Sequence, residues 1–163
     1  MNFSFEDFLS YFPEAELPVN ISSEYMNIFG KINTPVPEDM INEFILNGKP
    51  RIYGPQEIEN EYIACFLLPD TREFKAIVYI NISLLNYEYF LHTFDNAGRT
   101  ISCIAIASLN SDGKQITEKT AMIDDKYQIW TMEGSSGNDH EFDPSESLFV
   151  KLYITGNGEI LEK

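Results

Sequence analysis

The chain has 163 residues, of which 44% are hydrophobic and 13% aromatic, so it can bury a core of single-domain size. This composition excludes a chain that is disordered throughout, because disorder requires low hydrophobicity. Its 26 acidic residues outnumber the 11 Lys and Arg and give a net charge of −15, which disfavours nucleic-acid binding, since a phosphate backbone needs clustered cations.

The first predicted element is a short amphipathic helix that begins after Ser4. Ser4 can cap it together with Asp7, and Pro13 ends it. Its apolar positions recur at helical spacing: Phe5, Phe8, Leu9 and Phe12. So short a helix is not stable alone, so we expect this apolar face to pack on the rest of the molecule. The segment Leu17–Ile21 then predicts a short edge strand.

A second helix is predicted to begin at Glu38 and Asp39, whose acids suit the positive end of the helix dipole. Asn47 and Gly48 supply a left-handed C-terminal cap. The apolar face of this helix comprises Met40, Ile41, Phe44 and Ile45.

From residue 51 onwards, runs of β-branched and aromatic residues alternate with turn residues, which predicts strands. These runs are Tyr62–Leu68, Glu73–Leu84, Tyr87–Phe94, Thr100–Leu109, Gln115–Ile123, Lys126–Glu133 and Leu148–Thr155. Because no connection after residue 60 is long enough for a crossover, neighbouring strands must pair antiparallel. The sequence therefore predicts an α+β fold, in which two short N-terminal helices pack on a curved antiparallel meander of about seven or eight strands. We expect one domain over residues 1–163, with a helical part at 1–50 and the meander at 51–163.

The strands have two unlike faces. In the second run, Ala76, Val78 and Ile80 alternate with Tyr79 and Asn81, so one face is aliphatic and the other mixed. A solvated face is normally more polar than this mixed face. We therefore expect the mixed face to be partly covered by the N-terminal helices, or to be a binding surface.

The groups that could support catalysis are few. His92 alternates with Phe90 and Phe94, which favours a structural, hydrogen-bonded histidine; Cys65 and Cys103 lie in apolar runs, where we expect buried small side chains. A Cys–His pair is a weaker alternative, because apolar flanks raise the pKa of a thiol. A disulfide between the two cysteines is a further alternative.

The sequence lacks the spacings of a calcium loop, a zinc site, a nucleophile elbow or a phosphate-binding loop. A pair of carboxylates remains an alternative for an enzyme, since 26 acids always permit some pair. We therefore expect no catalytic residue, no metal site, no cofactor and no enzymatic activity.

Two acidic stretches, residues 1–30 and 133–147, lack Lys and Arg and lie near aromatic residues. Such carboxylates can steer a basic partner, and the rings can anchor it. The predicted partner-binding residues are Glu14, Glu16, Tyr127, Trp130, Asp139, Glu141, Phe142, Asp143 and Glu146. The sequence thus favours a non-enzymatic protein that engages a basic protein partner; solvation of an acidic surface is the simpler alternative. A second alternative is small-molecule or glycan binding by stacking on Tyr79, Tyr87, Tyr89 and Trp130.

The expected location is the cytoplasm, without membrane contact. The start of the sequence lacks the basic and apolar regions of a signal peptide, and no apolar run approaches the ~20 residues that span a bilayer.

Two motifs carry a resemblance. Phe8–Pro18 has the form F-x-x-Y-F-P-x-x-x-L-P, and Phe94–Ile101 has the form F-D-x-x-G-x-x-I. They resemble a loose group of small, uncharacterised β-meander proteins of Bacteroidetes, which implies the same meander fold and transfers no catalytic position. In its small size, its acidity and its lack of catalytic motifs, the chain is also similar to the immunity proteins that neutralise interbacterial toxins. This second similarity is one of composition and implies an inhibitor that occludes a toxin's active site.

Overall fold

The computed structural model describes residues 3–22, 35–47, 61–136 and 147–163. The helices in these ranges are α1 (Phe5–Leu9) and α2 (Glu38–Met40), and a π-helical turn (Ile41–Ile45) continues α2. The strands are β1 (Val19–Ile21), β2 (Glu61–Leu67), β3 (Lys75–Ser83), β4 (Asn86–Phe94), β5 (Thr100–Ser111), β6 (Ile116–Ile123), β7 (Gln128–Ser136), β8 (Leu148–Ile154) and β9 (Ile160–Glu162).

Strands β2 to β9 form one antiparallel sheet in which each strand pairs with the next along the chain. The predicted antiparallel meander is therefore confirmed, and each predicted strand from β2 to β8 is found. Three turns place a glycine at positive φ, at Gly98, Gly113 and Gly158, whereas Asp70, Leu85 and Tyr127 adopt positive φ without one. The edge strand predicted at Leu17–Ile21 is observed as Val19–Ile21.

Strand β1 pairs with the part of β6 that β5 does not reach. β6 pairs with β5 only over Ile116–Lys119, and Ala121–Ile123 of the same strand pairs with β1 instead. β5 therefore diverges from β6, and the sheet folds over so that β2–β5 face β6–β9. Two hydrogen bonds tie these halves together: the Thr93 hydroxyl donates to the Gly158 carbonyl at 2.6 Å, and the Ile160 amide donates to Ser102 Oγ at 3.2 Å.

An inner core fills the space between the two halves. Its buried members are mostly aliphatic and come from both, and include Ala76, Val78 and Ile80 of β3 as well as Ile129 of β7 and Leu152 of β8. The aliphatic face predicted for the second run is thus the inner face, as strand alternation requires.

An outer, aromatic core lies on the opposite face of β2–β4. It is covered by residues 3–12 and 35–47, which we call the N-terminal cover. Phe8 is completely buried there, with its ring 4.8 Å from that of Phe44 and 6.0 Å from that of Phe94. On this half of the sheet the N-terminal cover therefore buries part of the mixed face, including Tyr79, whereas Asn81 stays partly exposed.

The two predicted helices are not confirmed in full. Ser4 and Asp7 do form the expected capping box, but α1 has five residues and ends at Leu9, before Pro13. α2 is a three-residue turn, and it continues as a π turn in which the Leu46 amide bonds to the Ile41 carbonyl. Asn47 has the left-handed φ of 52° expected of a cap, whereas Gly48 lies outside the described residues.

Candidate functional site

The outward side of β6–β8 carries large apolar side chains. Trp130 of β7 is 44% exposed, Met132 of the same strand 37%, and Phe149 of β8 72%. The strand register places Met122, Trp130 and Lys151 side by side in one row, and Thr120, Met132 and Phe149 in the next. We call these six residues the uncovered face. Among the described residues no helix packs over it.

A groove of about 400 Å³ runs along the uncovered face beside β1. Its walls include Asn20 and Ser22 on one side and Trp130, Met132 and Phe149 on the other. The groove is open to solvent and mostly apolar, so it can accept an apolar side chain or ring and withdraw it from water.

Lys151 is the cation of this face. Its Nζ atom lies 4.0 Å from the centre of the Trp130 ring, which is within the range of a cation–π contact. The pKa of Lys151 is lowered, first by partial desolvation of its ammonium group and then by the charge of Lys163. The ammonium group of Lys151 therefore lies against the indole ring of Trp130.

Glu14 and Glu16, two of the predicted partner-binding residues, line a second cleft of about 350 Å³ together with Val19 and Cys65. Both glutamates are exposed, and no described cation forms an ion pair with either. Val19 of β1 lines this cleft, whereas the following residues of β1 line the groove of the uncovered face. The structure therefore places Glu14 and Trp130 in separate clefts that share β1 as a wall.

Tyr127 has a structural role. Its hydroxyl donates to the Pro69 carbonyl at 2.6 Å, and its ring packs edge-on against Phe74. The remaining predicted partner-binding residues lie outside the described residues: Asp139, Glu141, Phe142, Asp143 and Glu146. Trp130 is thus the one predicted aromatic anchor that the described part of the chain shows at an exposed apolar surface.

His92 belongs to a buried polar cluster on the outer face of β3–β5. Its Nδ1 atom lies 3.2 Å from the Tyr79 hydroxyl, and its Nε2 atom lies 2.8 Å from Thr100 Oγ1. The ring stacks on Phe94 with centres 4.1 Å apart. The structural histidine that the sequence predicts is confirmed, because both ring nitrogens have partners and the residue is 1% exposed.

The expectation for Cys103 is wrong in part, because that residue is exposed whereas Cys65 is buried. β5 lies at the border of the N-terminal cover, so its outward side chains reach the surface. The Cys103 sulfur lies 3.6 Å from the Tyr79 hydroxyl, and partial desolvation of the thiol raises its pKa although the residue as a whole is exposed. No disulfide joins Cys65 and Cys103, so that alternative is excluded.

This cluster is poorly suited to nucleophilic catalysis. A Cys–His nucleophile needs a lowered thiol pKa and a histidine that reaches the sulfur, whereas here Tyr79 stands between Cys103 and His92. Within the described ranges, no three metal-ligating side chains converge.

Five of the six residues of the uncovered face were not predicted from the sequence as site residues: Thr120, Met122, Met132, Phe149 and Lys151. A signal for them was present, because Phe149 and Lys151 alternate with the inward-facing Val150 and Leu152. Such alternation predicts which side chains share one side of the sheet. It does not predict whether that side is exposed, which depends on how far the N-terminal cover extends.

No protein-family model, curated protein or solved structure matches this chain. The resemblance to small Bacteroidetes meander proteins therefore stays a prediction. Among the described residues, no helix is both long enough and apolar enough to cross a bilayer.

Proposed function

We propose that the protein is a non-enzymatic binding protein whose uncovered face engages a basic protein partner. The observation that carries this proposal is the group of exposed apolar side chains at Trp130, Met132 and Phe149 on the uncovered face. Contiguous apolar surface on a protein of this size is a recurring mark of an interaction site. Tryptophan in particular is enriched among the residues that contribute most to binding energy.

The charge of the chain indicates the kind of partner. A net charge of −15 favours the approach of a cationic protein and repels an acidic one or a second copy of the same chain. Glu14 and Glu16, in the cleft on the other side of β1, add exposed carboxylates that no described cation neutralises. Charges of this kind raise the association rate, whereas the exposed apolar side chains slow dissociation.

The finer form of the proposal is an immunity-type inhibitor in the cytoplasm of a bacterium. Its uncovered face would dock beside the cationic active site of a toxin, and its carboxylates would occupy that site and exclude the substrate. Support for this form comes from the small size and acidity of the chain. No cofactor and no nucleic acid is needed.

The test begins with capture of partners from bacterial lysate on the immobilised protein, at low salt and at 0.5 M salt. A captured protein is identified by mass spectrometry, purified and titrated against each variant by calorimetry. We expect a basic protein that is retained at low salt and weakened at high salt. Replacement of both anchors (W130A/F149A) is expected to lower its affinity at least about 30-fold, since anchor truncation costs on the order of 2 kcal/mol or more.

The chain offers a matched control at the β3–β4 turn, where Leu84 and Leu85 are 64% and 58% exposed. The L84A/L85A variant removes a comparable exposed apolar area and is expected to leave the affinity unchanged. Retention that ignores salt, or equal losses in both double variants, would contradict the proposal.

A second candidate function is binding of a small molecule or glycan that stacks on Trp130 inside the groove. The exposed indole beside a groove of about 400 Å³ favours it. Tyr79 and Tyr89 do not contribute, because both are buried and lie on opposite faces of the sheet. A thermal-shift screen separates the two candidates: a hit that raises Tm in the wild type and not in Trp130→Ala supports ligand binding.

A further inference from the structure

The His92 cluster links the sheet to the end of the N-terminal cover. Thr100 Oγ1 lies 2.8 Å from His92 Nε2 on one side and accepts from Asn47 Nδ2, at 3.2 Å, on the other. Asn47 lies two residues beyond the π turn whose Phe44 packs on Phe8 in the outer core. One imidazole therefore connects β3, β4 and β5 with the segment that closes over them.

All of these contacts are satisfied together when the imidazole is neutral and carries its proton on Nε2. Nε2–H then donates to Thr100, and the Tyr79 hydroxyl donates to Nδ1. A second proton would turn Nδ1 into a hydrogen-bond donor. The Tyr79 hydroxyl would then accept from Nδ1 and donate to the Cys103 sulfur, which is a weak acceptor. The second proton would also leave a buried cation among aromatic rings.

Within the described ranges, the titratable groups that contact His92 or its partners are Tyr79 from β3 and Cys103 from β5. Desolvation raises the pKa of both, so neither takes up a proton between pH 4 and pH 8. Asp7, in α1, titrates below this range because the hydrogen bond from the Ser4 backbone lowers its pKa. Burial is the one cause that shifts His92, so no carboxylate compensates a charge there.

We infer that His92 is a pH-sensitive latch, which holds the N-terminal cover on β2–β4 while its ring is neutral and releases the cover when the ring is protonated. The inference goes beyond the proposed function and does not depend on it. Opening the cover admits water to the imidazole, so protons favour the open form. The bistable element is the cover, and the aromatic outer face of β2–β4 is what becomes exposed.

The expected size follows from linkage. The pKa of His92 is lowered to about 4 in the closed form, against 6.5 for a solvated imidazole. Protons then raise the opening equilibrium constant as the pH falls from 6.5 towards 4. Between pH 7.5 and pH 5 the increase is about 30-fold.

Amide hydrogen exchange measured by mass spectrometry tests this on the whole protein, after correction for the pH dependence of the intrinsic rates. Protection factors of residues 5–9 and 38–47 are expected to fall about 30-fold from pH 7.5 to pH 5. Amides of β7 and β8 serve as the internal reference, and their protection is expected to change less than threefold.

Two variants separate a titrating latch from a merely structural residue. His92→Asn removes the titration, so its cover is expected to be equally protected at both pH values. Thr100→Val keeps the imidazole but removes the link to Asn47, so its cover is expected to open more at both pH values and still respond to acid. The inference is overturned if the wild-type cover does not respond, if His92→Asn keeps the response, or if β7 and β8 lose protection together with the cover.

Discussion

The outer face of β2–β4 and the outer face of β6–β8 have similar side chains and opposite surroundings. Both present aromatic and other large apolar residues on the outward side of antiparallel strands. On β2–β4 the N-terminal cover buries them, so that Phe8, Phe44 and Phe94 pack ring against ring. On β6–β8 the corresponding residues remain exposed.

This difference shows that the segments packed over a mixed strand face decide whether its side chains stabilise the fold or remain exposed for binding. The described parts of the cover, residues 3–12 and 35–47, are short and reach β2–β4. Burial of such apolar side chains stabilises the fold by about 25 cal/mol for each Å² of apolar surface that is removed from water. Substituting like residues in the outer core, which the cover helps to form, and on the uncovered face can break or sharpen the comparison.

The largest difference is expected for the pair Phe8→Ala and Phe149→Ala. Phe8 is completely buried in the outer core, so its removal leaves a cavity and is expected to lower the free energy of unfolding by about 3–5 kcal/mol. Phe149 is 72% exposed, so its removal is expected to cost about 0.5 kcal/mol or less. Urea denaturation followed by circular dichroism measures both. Equal losses would mean that the two faces do not differ in burial.

A smaller difference of the same sign is expected for Met40→Ala and Met132→Ala. Met40 is a buried residue of the cover itself, and Met132 is 37% exposed on β7. We expect a loss of about 2–3 kcal/mol for the first and below about 1 kcal/mol for the second, because methionine adapts its packing more readily than phenylalanine. Midpoint shifts at constant m-value in the same urea titrations check this. A larger loss at Met132 would show that the uncovered face supports the fold.

The smallest effect is expected at the start of the cover. Ser4 Oγ accepts from the Asp7 amide at 3.0 Å, and Asp7 Oδ2 accepts from the Ser4 amide at the same distance. Ser4→Ala removes the cap and is expected to cost about 1 kcal/mol, whereas Ser4→Thr keeps it and is expected to be nearly neutral. Thermal unfolding of the two variants, side by side, measures the difference. Identical Tm values would show that the cap does not stabilise the cover.

Much of the sheet could be predicted from the sequence, because its signals are local. Turn residues such as Asn96 and Gly98 fix the hairpins, and alternation within β3 fixes which side chains face the inner core. The capping box at Ser4 was equally readable, since it depends on two residues three positions apart.

What the sequence did not reveal depends on contacts between distant segments. The divergence of β5 from β6 is set by β1, and the exposure of Cys103 by the border of the cover. The π turn at Ile41–Ile45 lengthens one helical turn by one residue, which no spacing rule indicated. Of the candidate site, Trp130 was predicted, whereas Phe149 and Lys151 depended on knowing where the covering layer ends.

The place of β1 has a consequence for how the chain acquires its structure during synthesis. Asn20 pairs with Met122, which lies roughly 100 residues later, so β1 leaves the ribosome long before its partner strand exists. The hairpins of β2–β5 can form meanwhile, because their strands are neighbours in sequence, whereas β1 cannot pair until β6 has been synthesised. Such long-range closure is slow because loop entropy is lost before contacts reward it, so insertion of β1 is expected to be a late event in folding.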